Sequence, residues 1–446
     1  MSEQDKLQGY SGADRRLLES CGVEVGDEVE VRVDGEVYRG ILMARYELAE
    51  PGYIVVKLPN GYNLGIKVSD KVSVRKIASA RKPSFTPPPR PQAKPGLPKV
   101  VVMSTGGTIA SRIDYRTGGV RAALTAEDLL SIVPELAELA DLDAKILFSI
   151  YSENMTPDHW NSMALEADKL IREGAEGIVI AHGTDTMGYS AAALSFALQK
   201  PPAPIVFVGA QRSSDRPSSD AATNLIAAVK VAGHAPFAEV CVSMHAWHSD
   251  TVIAIHRGTR VRKLHTSSRD AFRSVNCEPI AFVIEGEIKL NSSNLNPRGS
   301  SEYRFEPGFS GDAALVKFYP GMSPELLEIL HERGCRGLIL EGTGLGHVSS
   351  KLTPTIKNLI DRGLFIGMTS QCIYGRVNMR VYDTGRYLLK AGVTPLDDML
   401  PETAYVKLSW VLARAKDLEE VRRLMLTPIA GELGERSLPV KLEVGS

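Results

Sequence analysis

Cysteine is scarce in this sequence, and its five copies show no pairing pattern. They stand at Cys21, Cys241, Cys277, Cys335 and Cys372, without any Cys-x-x-Cys spacing. Such a distribution gives no sign of a disulfide framework, a zinc site or a redox motif, and it suits a reducing compartment. We therefore interpret the cysteines as small, buried apolar side chains.

Excess charge and long apolar runs are also missing. The 52 Lys and Arg residues nearly balance 53 Asp and Glu residues, which argues against a chain that wraps nucleic acid by bulk electrostatics. No apolar run reaches the roughly 18 residues of a membrane span, and the first residues lack the apolar core of a signal peptide. We expect a cytoplasmic protein, and its 446 residues predict about three compact units.

A proline-rich run divides the chain. Residues Arg81–Lys99 contain seven prolines, five basic residues and no acidic residue, a composition typical of a semi-rigid linker. Before it, apolar and polar residues alternate around Asp34-Gly35 and Asn60-Gly61, so residues 1–80 are predicted to form a small all-β barrel. Its 13 acidic and 11 basic residues do not favour a nucleic-acid surface, and docking of a protein is the alternative.

After the linker, short apolar strands alternate with helices, the pattern of a parallel α/β sheet. Thr125 with Asp128, and Thr156 before Pro157, mark two helix starts. One helix is predicted to run on through residue 139, and a long helical stretch over residues 404–426. We predict a larger α/β domain over residues 100–305, a smaller α/β domain with terminal helices over 306–446, and a cleft between them.

Glycines and hydroxyl side chains directly follow two of the predicted strands. The segment Ser104–Thr108 follows "VVVM", and His182–Thr186 follows "GIVIA". Either segment alone also fits a tight turn, a phosphate-binding helix start or a helix cap. Two such strand ends in one sheet favour a site in which glycines let the backbone approach a ligand and a hydroxyl attacks it.

These segments carry a family resemblance. The motifs "TGGTIA" at 105–110 and "HGTDTM" at 182–187, followed by "VGAQR" at 208–212, resemble the signatures of the asparaginases and glutaminases that use threonine. The resemblance implies that Thr108 is the nucleophile and that Tyr115, on a mobile lid, approaches its hydroxyl. It also implies catalytic roles for Thr184, Asp185 and Lys263, although Lys263 alone would be interpreted as a solvated lysine in a basic run.

The same resemblance implies a set of substrate-binding residues. Ser152 matches the serine that grips the substrate carboxylate, and Glu153 stands where related asparaginases commonly carry glutamine. Backbone N–H groups at the glycine-flanked turns suit the oxyanion formed when an amide is attacked, which adds Gly107, Gly183 and Ala210. No histidine or cysteine pair has metal-ligand spacing, so no metal site and no cofactor are predicted in this chain.

The barrel, linker and body together resemble the D subunit of the archaeal glutamyl-tRNA(Gln) amidotransferase. This resemblance implies a homodimer that releases ammonia from glutamine or asparagine. It also implies an E subunit that uses ATP and Mg to convert Glu-tRNA(Gln) to Gln-tRNA(Gln), in a heterotetramer of two D and two E subunits. A free-standing asparaginase or glutaminase, and a binding protein with an inert body, are the alternatives. The choice between glutamine and asparagine is open, because one methylene group changes binding by only about 1–3 kcal/mol.

Overall fold

The computed structural model divides the chain into two compact units. Residues 1–88 with 111–121 form the smaller unit, and residues 89–110 with 122–446 form the larger one. The described residues are 6–7, 9–45, 50–59, 62–79, 95–106, 111–114, 119–122, 125–212 and 218–437. The Asn60-Gly61 turn and most of the proline-rich run lie outside these ranges.

The smaller unit contains a five-stranded antiparallel sheet with the strand order β4-β3-β2-β1-β5. Its elements are α1 (Gly12–Ser20), β1 (Glu28–Val33), β2 (Glu36–Leu42), β3 (Tyr53–Lys57), β4 (Asn63–Lys67) and β5 (Ser73–Ala78). Asp34 and Gly35 both have positive φ angles, 48° and 88°, as a tight two-residue hairpin requires. The hairpin signals did not reveal α1, whose Leu18 packs into the core between the strands and the helix.

The first lobe of the larger unit is built around an eight-stranded sheet. The elements along the chain from the linker to the end of this lobe are β6 (Lys99–Ser104), β7 (Ser111–Asp114), β8 (Gly119–Ala122), α2 (Ala126–Ile132), β9 (Asp141–Ile146), α3 (Pro157–Arg172), β10 (Gly177–Ala181), α4 (Met187–Ala197), β11 (Leu198–Gln199), β12 (Ile205–Val208), α5 (Ala221–His234), β13 (Val240–His245), β14 (Val252–Arg257), β15 (Val261–Lys263), β16 (Phe272–Ser274), β17 (Ala281–Ile284), β18 (Glu287–Leu290) and β19 (Arg304–Phe305). The small pairs β11–β19 and β15–β16 stand apart from the main sheet, and the pair β7–β8 falls mostly within the smaller unit.

The main sheet has the strand order β18-β17-β14-β13-β12-β10-β6-β9. In sheet order, the five strands from β13 to β9 are parallel to one another, as the apolar strand pattern predicted. The remaining pairs, β13–β14, β14–β17 and β17–β18, are antiparallel. Strands β6, β10, β12 and β13 are buried on both faces because a layer of buried side chains covers each face, whereas the edge strand β9 is partly exposed.

The second lobe is a four-stranded parallel sheet with helices, in the strand order β20-β21-β22-β23. Its elements are β20 (Ala313–Lys317), α6 (Glu325–Glu332), β21 (Gly337–Gly342), α7 (Thr353–Asp361), β22 (Phe365–Ser370), α8 (Asp383–Lys390), β23 (Thr394–Pro395), α9 (Pro401–Leu412) and α10 (Leu418–Leu426). Helix α9 packs on β20 and β21 and also against α4, so one apolar core spans both lobes of the larger unit.

Three expectations differ from the structure. The helix after Thr125 ends at Ile132, and a 3-10 helix, Pro134–Glu138, follows it. Pro134 has no backbone N–H to donate the next α-helical hydrogen bond. The C-terminal helical stretch is two helices, and Asp417 caps the second by accepting a hydrogen bond from the Glu420 N–H. Of the cysteines only Cys241 is buried, whereas Cys372 is exposed.

Candidate active site

The order of strands reverses between β6 and β10. From β6 the chain passes to β9 on one side and then returns to β10 on the other, with β6 in the middle. In open α/β sheets such a reversal opens a crevice beyond the carboxyl ends of the strands. Thr105 and Gly106 follow β6 there, and His182 to Thr186 follow β10, so the described residues of both predicted segments flank this crevice.

Close packing shapes the segment after β6. The buried Thr105 donates hydrogen bonds from its backbone N and its Oγ1 to the Ala181 carbonyl oxygen, each at 3.0 Å. Gly106 has a φ of 118°, and a Cβ added there would lie 2.1 Å from the Ile150 carbonyl oxygen. Glycine is therefore required at this position. The predicted site residues Gly107, Thr108 and Tyr115 lie outside the described residues.

A second close contact places the predicted carboxylate-binding serine beside the segment after β10. Ser152 is buried in a 3-10 helix, Ser152–Asn154, and a Cβ on Gly183 would lie 2.8 Å from its Oγ. The Thr186 hydroxyl donates a 2.7 Å hydrogen bond to the Ser152 carbonyl oxygen. The structure thus brings Ser152 and Gly183 together, while the neighbouring Glu153 is exposed.

Lys263 reaches two residues of the segment after β10. Its Nζ donates hydrogen bonds to the Thr184 Oγ1 at 2.9 Å and to the Asp185 Oδ1 at 2.8 Å. The Lys263 side chain is only 14% exposed, whereas that of Asp185 is 69% exposed. The three residues form one hydrogen-bonded group with a covered amine and a carboxylate open to the crevice.

A buried polar network supports the third predicted segment, which follows β12. Asp220 accepts hydrogen bonds from the backbone N–H groups of Gln211 and Arg212 at 3.0 and 2.9 Å. Asn224 donates from its Nδ2 to the Gly209 carbonyl oxygen at 3.0 Å. A Cβ on Gly209 would lie 2.8 Å from the Thr184 Cγ2, so the backbone before Ala210 packs directly against the Thr184 side chain.

His182 supports the same edge from within the core. Its Nδ1 lies 2.7 Å from the Gly183 carbonyl oxygen, and its ring packs edge-on against Phe207. Burial lowers the pKa of His182 to about 4. Because the ring is neutral at pH 7, its Nδ1–H is the donor to Gly183 and the imidazole holds the turn in place.

The second lobe holds the short strand that carries Lys263. Arg262 Nη2 lies 3.0 Å from Glu402 Oε1 on α9. Thr403, also on α9, donates a hydrogen bond of 2.9 Å from its Oγ1 to the Thr259 carbonyl oxygen.

A buried ion pair supports that attachment. Arg260 Nη1 lies 3.1 Å from Asp398 Oδ2, and both side chains are almost fully covered. Within the described ranges β15 pairs with the short β16, and these contacts with residues 398–403, together with the buried Val261, help to fix the position of the Lys263 backbone.

Several of these supporting residues were missed by the sequence analysis. Thr186 belongs to the second motif and could have been chosen from it, and Asp220 directly precedes α5, where a side chain that caps a helix or loop is common. Arg262 and Glu402 gave no local signal, because the residues that pair are 140 positions apart.

Among the described residues no cluster of three or more His, Cys, Asp or Glu side chains could hold a metal ion. None of the helices in the described ranges is both long and apolar enough to cross a bilayer.

Three family models match the chain. The model described as "Asparaginase, N-terminal" matches residues 99–296, and "Glutaminase/Asparaginase C-terminal domain" matches residues 312–425. A third, "GatD N-terminal domain", matches residues 23–77 in the smaller unit. Together they account for both lobes and for the five-stranded sheet.

Solved structures of two asparaginases resemble the body. The thermostable L-asparaginase from Thermococcus kodakarensis is 33% identical, with a TM-score of 0.68, and the match covers 75% of this chain and 99% of that protein. L-asparaginase I from Vibrio cholerae is 30% identical, with a TM-score of 0.66, and the match covers 76% of this chain and 99% of that protein.

Two curated relatives match nearly the whole chain. Both are D subunits of glutamyl-tRNA(Gln) amidotransferase. The Thermofilum pendens protein is 50% identical, and the match covers 96% of this chain and 97% of that protein. The Pyrococcus furiosus protein is 52% identical, and the match covers 95% of this chain and 98% of that protein. This chain belongs to the family of D subunits of glutamyl-tRNA(Gln) amidotransferase, in which an asparaginase-type body is joined to an additional N-terminal module.

Proposed function

We propose that this chain releases ammonia from glutamine or asparagine through a threonine ester and supplies it to a partner subunit. The observation that carries the proposal is the Lys263 amine, which lies within hydrogen-bond distance of both Thr184 and Asp185 at the strand reversal. A covered amine, a hydroxyl and a carboxylate at this edge are the groups that a proton relay for amide hydrolysis needs.

In the proposed reaction the Thr108 hydroxyl loses its proton to a neighbouring base and attacks the side-chain carboxamide carbon of the substrate. Backbone N–H groups of Gly107, Gly183 and Ala210 stabilise the oxyanion. The C–N bond then breaks, the nitrogen takes up a proton and leaves as ammonia, and an ester remains on Thr108. Water attacks the ester, which releases glutamate or aspartate and restores the hydroxyl.

Thr184, Lys263 and Asp185 form the relay in this proposal. When Lys263 is neutral, its amine takes the proton of the Thr184 hydroxyl while Thr184 takes the proton that Thr108 loses, and the Asp185 carboxylate stabilises the ammonium group that results. The distances from Lys263 Nζ to Thr184 Oγ1 and to Asp185 Oδ1, 2.9 and 2.8 Å, are short enough for such a transfer. Tyr115 is the alternative base for Thr108, and the two assignments are distinguished by comparing Lys263→Met with Tyr115→Phe.

The α-substituents of the amino acid meet the exposed carboxylates and the buried serine. The Asp185 carboxylate faces solvent, as binding of a charged α-ammonium group requires, and Glu153 is exposed one residue after Ser152. Ser152 takes the substrate carboxylate. This division supports binding of a free amino acid rather than an amide within a peptide, because a peptide lacks both charges.

The names of the relatives imply a partner subunit, and the assembly proposed here goes beyond those names. An E subunit binds ATP and Mg and uses the ammonia to convert Glu-tRNA(Gln) to Gln-tRNA(Gln), and this chain needs no cofactor of its own. The chain acts as a homodimer within a heterotetramer of two D and two E subunits in the cytoplasm. Glu-tRNA(Gln) is bound mainly by the partner, which agrees with the net charge of −1.

A free-standing asparaginase or glutaminase is the second candidate. The match to L-asparaginases from Thermococcus kodakarensis and Vibrio cholerae over 99% of their length favours it, since the body alone has the fold of a complete enzyme. The smaller unit, which those matches leave uncovered, would have no role in such an enzyme.

Ammonia release by the purified full-length chain tests both candidates. It is measured with glutamine and with asparagine, for the chain alone and after addition of the E subunit with Glu-tRNA(Gln). Low release that rises sharply only with both additions supports the amidotransferase proposal. A high rate of release that does not change when the E subunit and Glu-tRNA(Gln) are added supports the free-standing enzyme. Release that persists in Thr108→Val overturns the threonine mechanism.

A further inference from the structure

The outer face of the small sheet carries an unusual group of residues. Side chains alternate between faces along a strand, and Val29, Val31 and Val74 point into the core of the unit. The intervening positions of β2, β1 and β5 therefore point outward, and Ile77, which lies at an irregularity in the β1–β5 register, is also exposed. They comprise Val37, Arg39, Ile41, Glu28, Glu30, Arg32, Ser73, Arg75 and Ile77. We call the part of this surface formed by Arg32, Arg39, Arg75, Val37, Ile41 and Ile77 around Glu30 the arginine face.

Strand register places Glu30 at the centre of the arginine face. Glu30 stands opposite Arg39 on β2 and opposite Arg75 on β5, and Arg32 lies two residues along β1. The side chains of neighbouring strands lie about 5 Å apart, so all three guanidinium groups reach one carboxylate.

The contacts around Glu30 hold the arginines in a fixed arrangement. Arg32 Nη2 lies 3.0 Å and Arg75 Nη2 lies 3.2 Å from Glu30 Oε1, and Arg39 Nη2 lies 2.9 Å from Oε2. The Glu30 side chain is 1% exposed, whereas the three arginine side chains are 63–68% exposed. Hydrogen bonds from Arg32 and Arg39 lower the pKa of Glu30, so the carboxylate is charged; together with the outward Glu28 it leaves one of the three positive charges unbalanced.

The arginines retain donors for a ligand. A guanidinium group has five N–H donors in a rigid fork, and Arg39 uses only its Nε and Nη2 on Glu30. Because Glu30 already orients the arginines, little side-chain entropy is lost when a ligand binds them. The ligand that suits several fixed guanidinium groups is one with carboxylates or phosphates.

Exposed apolar side chains border the arginines. Val37, Ile41 and Ile77 are 49%, 38% and 42% exposed. Protein interfaces bury apolar side chains at their centre, and arginine is enriched in them while lysine is depleted. A surface that binds single-stranded nucleic acid would instead offer aromatic side chains for stacking, and residues 1–80, with 13 acidic and 11 basic residues, carry no excess of positive charge. The mixture therefore favours a protein surface with carboxylates over a phosphate backbone.

The place of the smaller unit within the family points to the same partner class. The two asparaginase matches cover 75–76% of this chain, while the two relatives that match it almost completely are subunits of an amidotransferase. We propose that the arginine face docks the partner subunit of the amidotransferase, through carboxylates opposite the arginines and apolar side chains opposite Val37, Ile41 and Ile77. This inference rests on the proposed function.

The test measures binding of the full-length chain to the purified E subunit by sedimentation velocity. The double variant Arg39→Gln with Arg75→Gln removes two charges from the face, and Ile77→Lys alters it without touching the Glu30 cluster. Each is expected to weaken binding about tenfold or more, with ammonia release by the free chain unchanged. The matched control is Lys67→Gln with Lys71→Gln, which removes two exposed charges elsewhere on the same unit and is expected to bind like the wild type.

The outcomes separate this inference from the proposed function. If the wild-type chain does not bind the E subunit, the proposed function itself fails. If the wild type binds and both face variants bind equally well, the docking inference is overturned. It is also overturned if the variants lose only affinity for tRNA, or only self-association, because either result assigns the face to another occupant.

Discussion

The Nζ of Lys263 donates a hydrogen bond of 2.9 Å to the Oγ1 of Thr184, across 79 positions of the chain. The same amine donates to Asp185, so a lysine from a short two-stranded sheet completes a group that otherwise belongs to the segment after β10. If this group moves protons, removal of the amine slows the reaction strongly.

Lys263→Met is therefore expected to lower kcat for ammonia release by about 10²- to 10⁴-fold, the range typical of a lost general acid or base. Initial rates with saturating glutamine or asparagine check this. The control is Lys169→Met on the exposed surface of α3. A Lys263→Met enzyme with wild-type kcat would remove Lys263 from the mechanism.

Glu402→Gln is expected to lower kcat about tenfold and to leave KM within about twofold. The Arg262–Glu402 pair holds the strand that carries Lys263, whereas Ser152 and Gly183 lie on other segments. Loss of the pair therefore changes the position of the amine and leaves the substrate-binding residues in place. Steady-state kinetics of the variant measure both constants.

A reversed pair separates positioning from general stability. Arg262→Glu with Glu402→Arg is expected to restore most of the lost kcat. If Glu402→Gln lowers only the unfolding temperature, or if the reversed pair restores stability without kcat, the strand does not depend on this pair for the position of Lys263.

Gly183→Ala is expected to lower kcat/KM about tenfold to a hundredfold. The new Cβ would lie 2.7 Å from the Ser152 Cβ, so Ser152 must shift by a large fraction of an ångström. Gly311→Ala is the control, because an added Cβ at Gly311 meets nothing within 4 Å. Equal kinetics for both variants would show that the contact between Gly183 and Ser152 does not shape the substrate site.

Acid is expected to destabilise the fold through two buried histidines. Burial lowers the pKa of His182 to about 4 and that of His256 to about 3, from an ordinary 6.5. Below pH 6.5 the unfolded chain binds protons that the folded chain does not. The free energy of unfolding therefore decreases as the pH is lowered, until the pH reaches the folded pKa values. His182 alone accounts for about 2 kcal/mol between pH 7.5 and 5.

Urea unfolding at pH 7.5 and pH 5 measures that loss. In His182→Asn the decrease between the two pH values is expected to be about 2 kcal/mol smaller than in the wild type. His248→Asn, at an exposed site, is expected to behave like the wild type. An unchanged decrease in His182→Asn would mean that this imidazole titrates normally in the folded chain.

Local sequence signals were sufficient for much of the architecture. The Thr125 side chain accepts from the Asp128 N–H and Thr156 caps α3, as their patterns predicted, because a cap depends on residues within one turn. Continuous apolar runs indicated β6, β10 and β12, since strands covered on both faces need apolar residues throughout. The same signals overlooked Pro134 as a helix break and the turn before Asp417, because helical composition continues across both.

The candidate site was predictable only where residues adjoin a strand end. Thr184, Asp185 and Gly183 follow β10 directly, so the strand pattern placed them at the crevice. Lys263 was chosen from a family resemblance, since a lysine in a basic run has no local feature that separates it from a surface lysine. Glu402 and Asp398 gave no such opportunity, because each acts on residues that only folding brings near.

The sequence by itself determined the repertoire of elements, the apolar faces and the side chains present at each strand end, because propensity, capping and alternation act over a few residues. Only the tertiary structure decided that Lys263 contacts Thr184, that α9 holds β15, the strand that carries Lys263, and that three arginines contact Glu30. Those relationships depend on strand order, register and the packing of one lobe on the other. They are stable only when distant segments bury their apolar surfaces together.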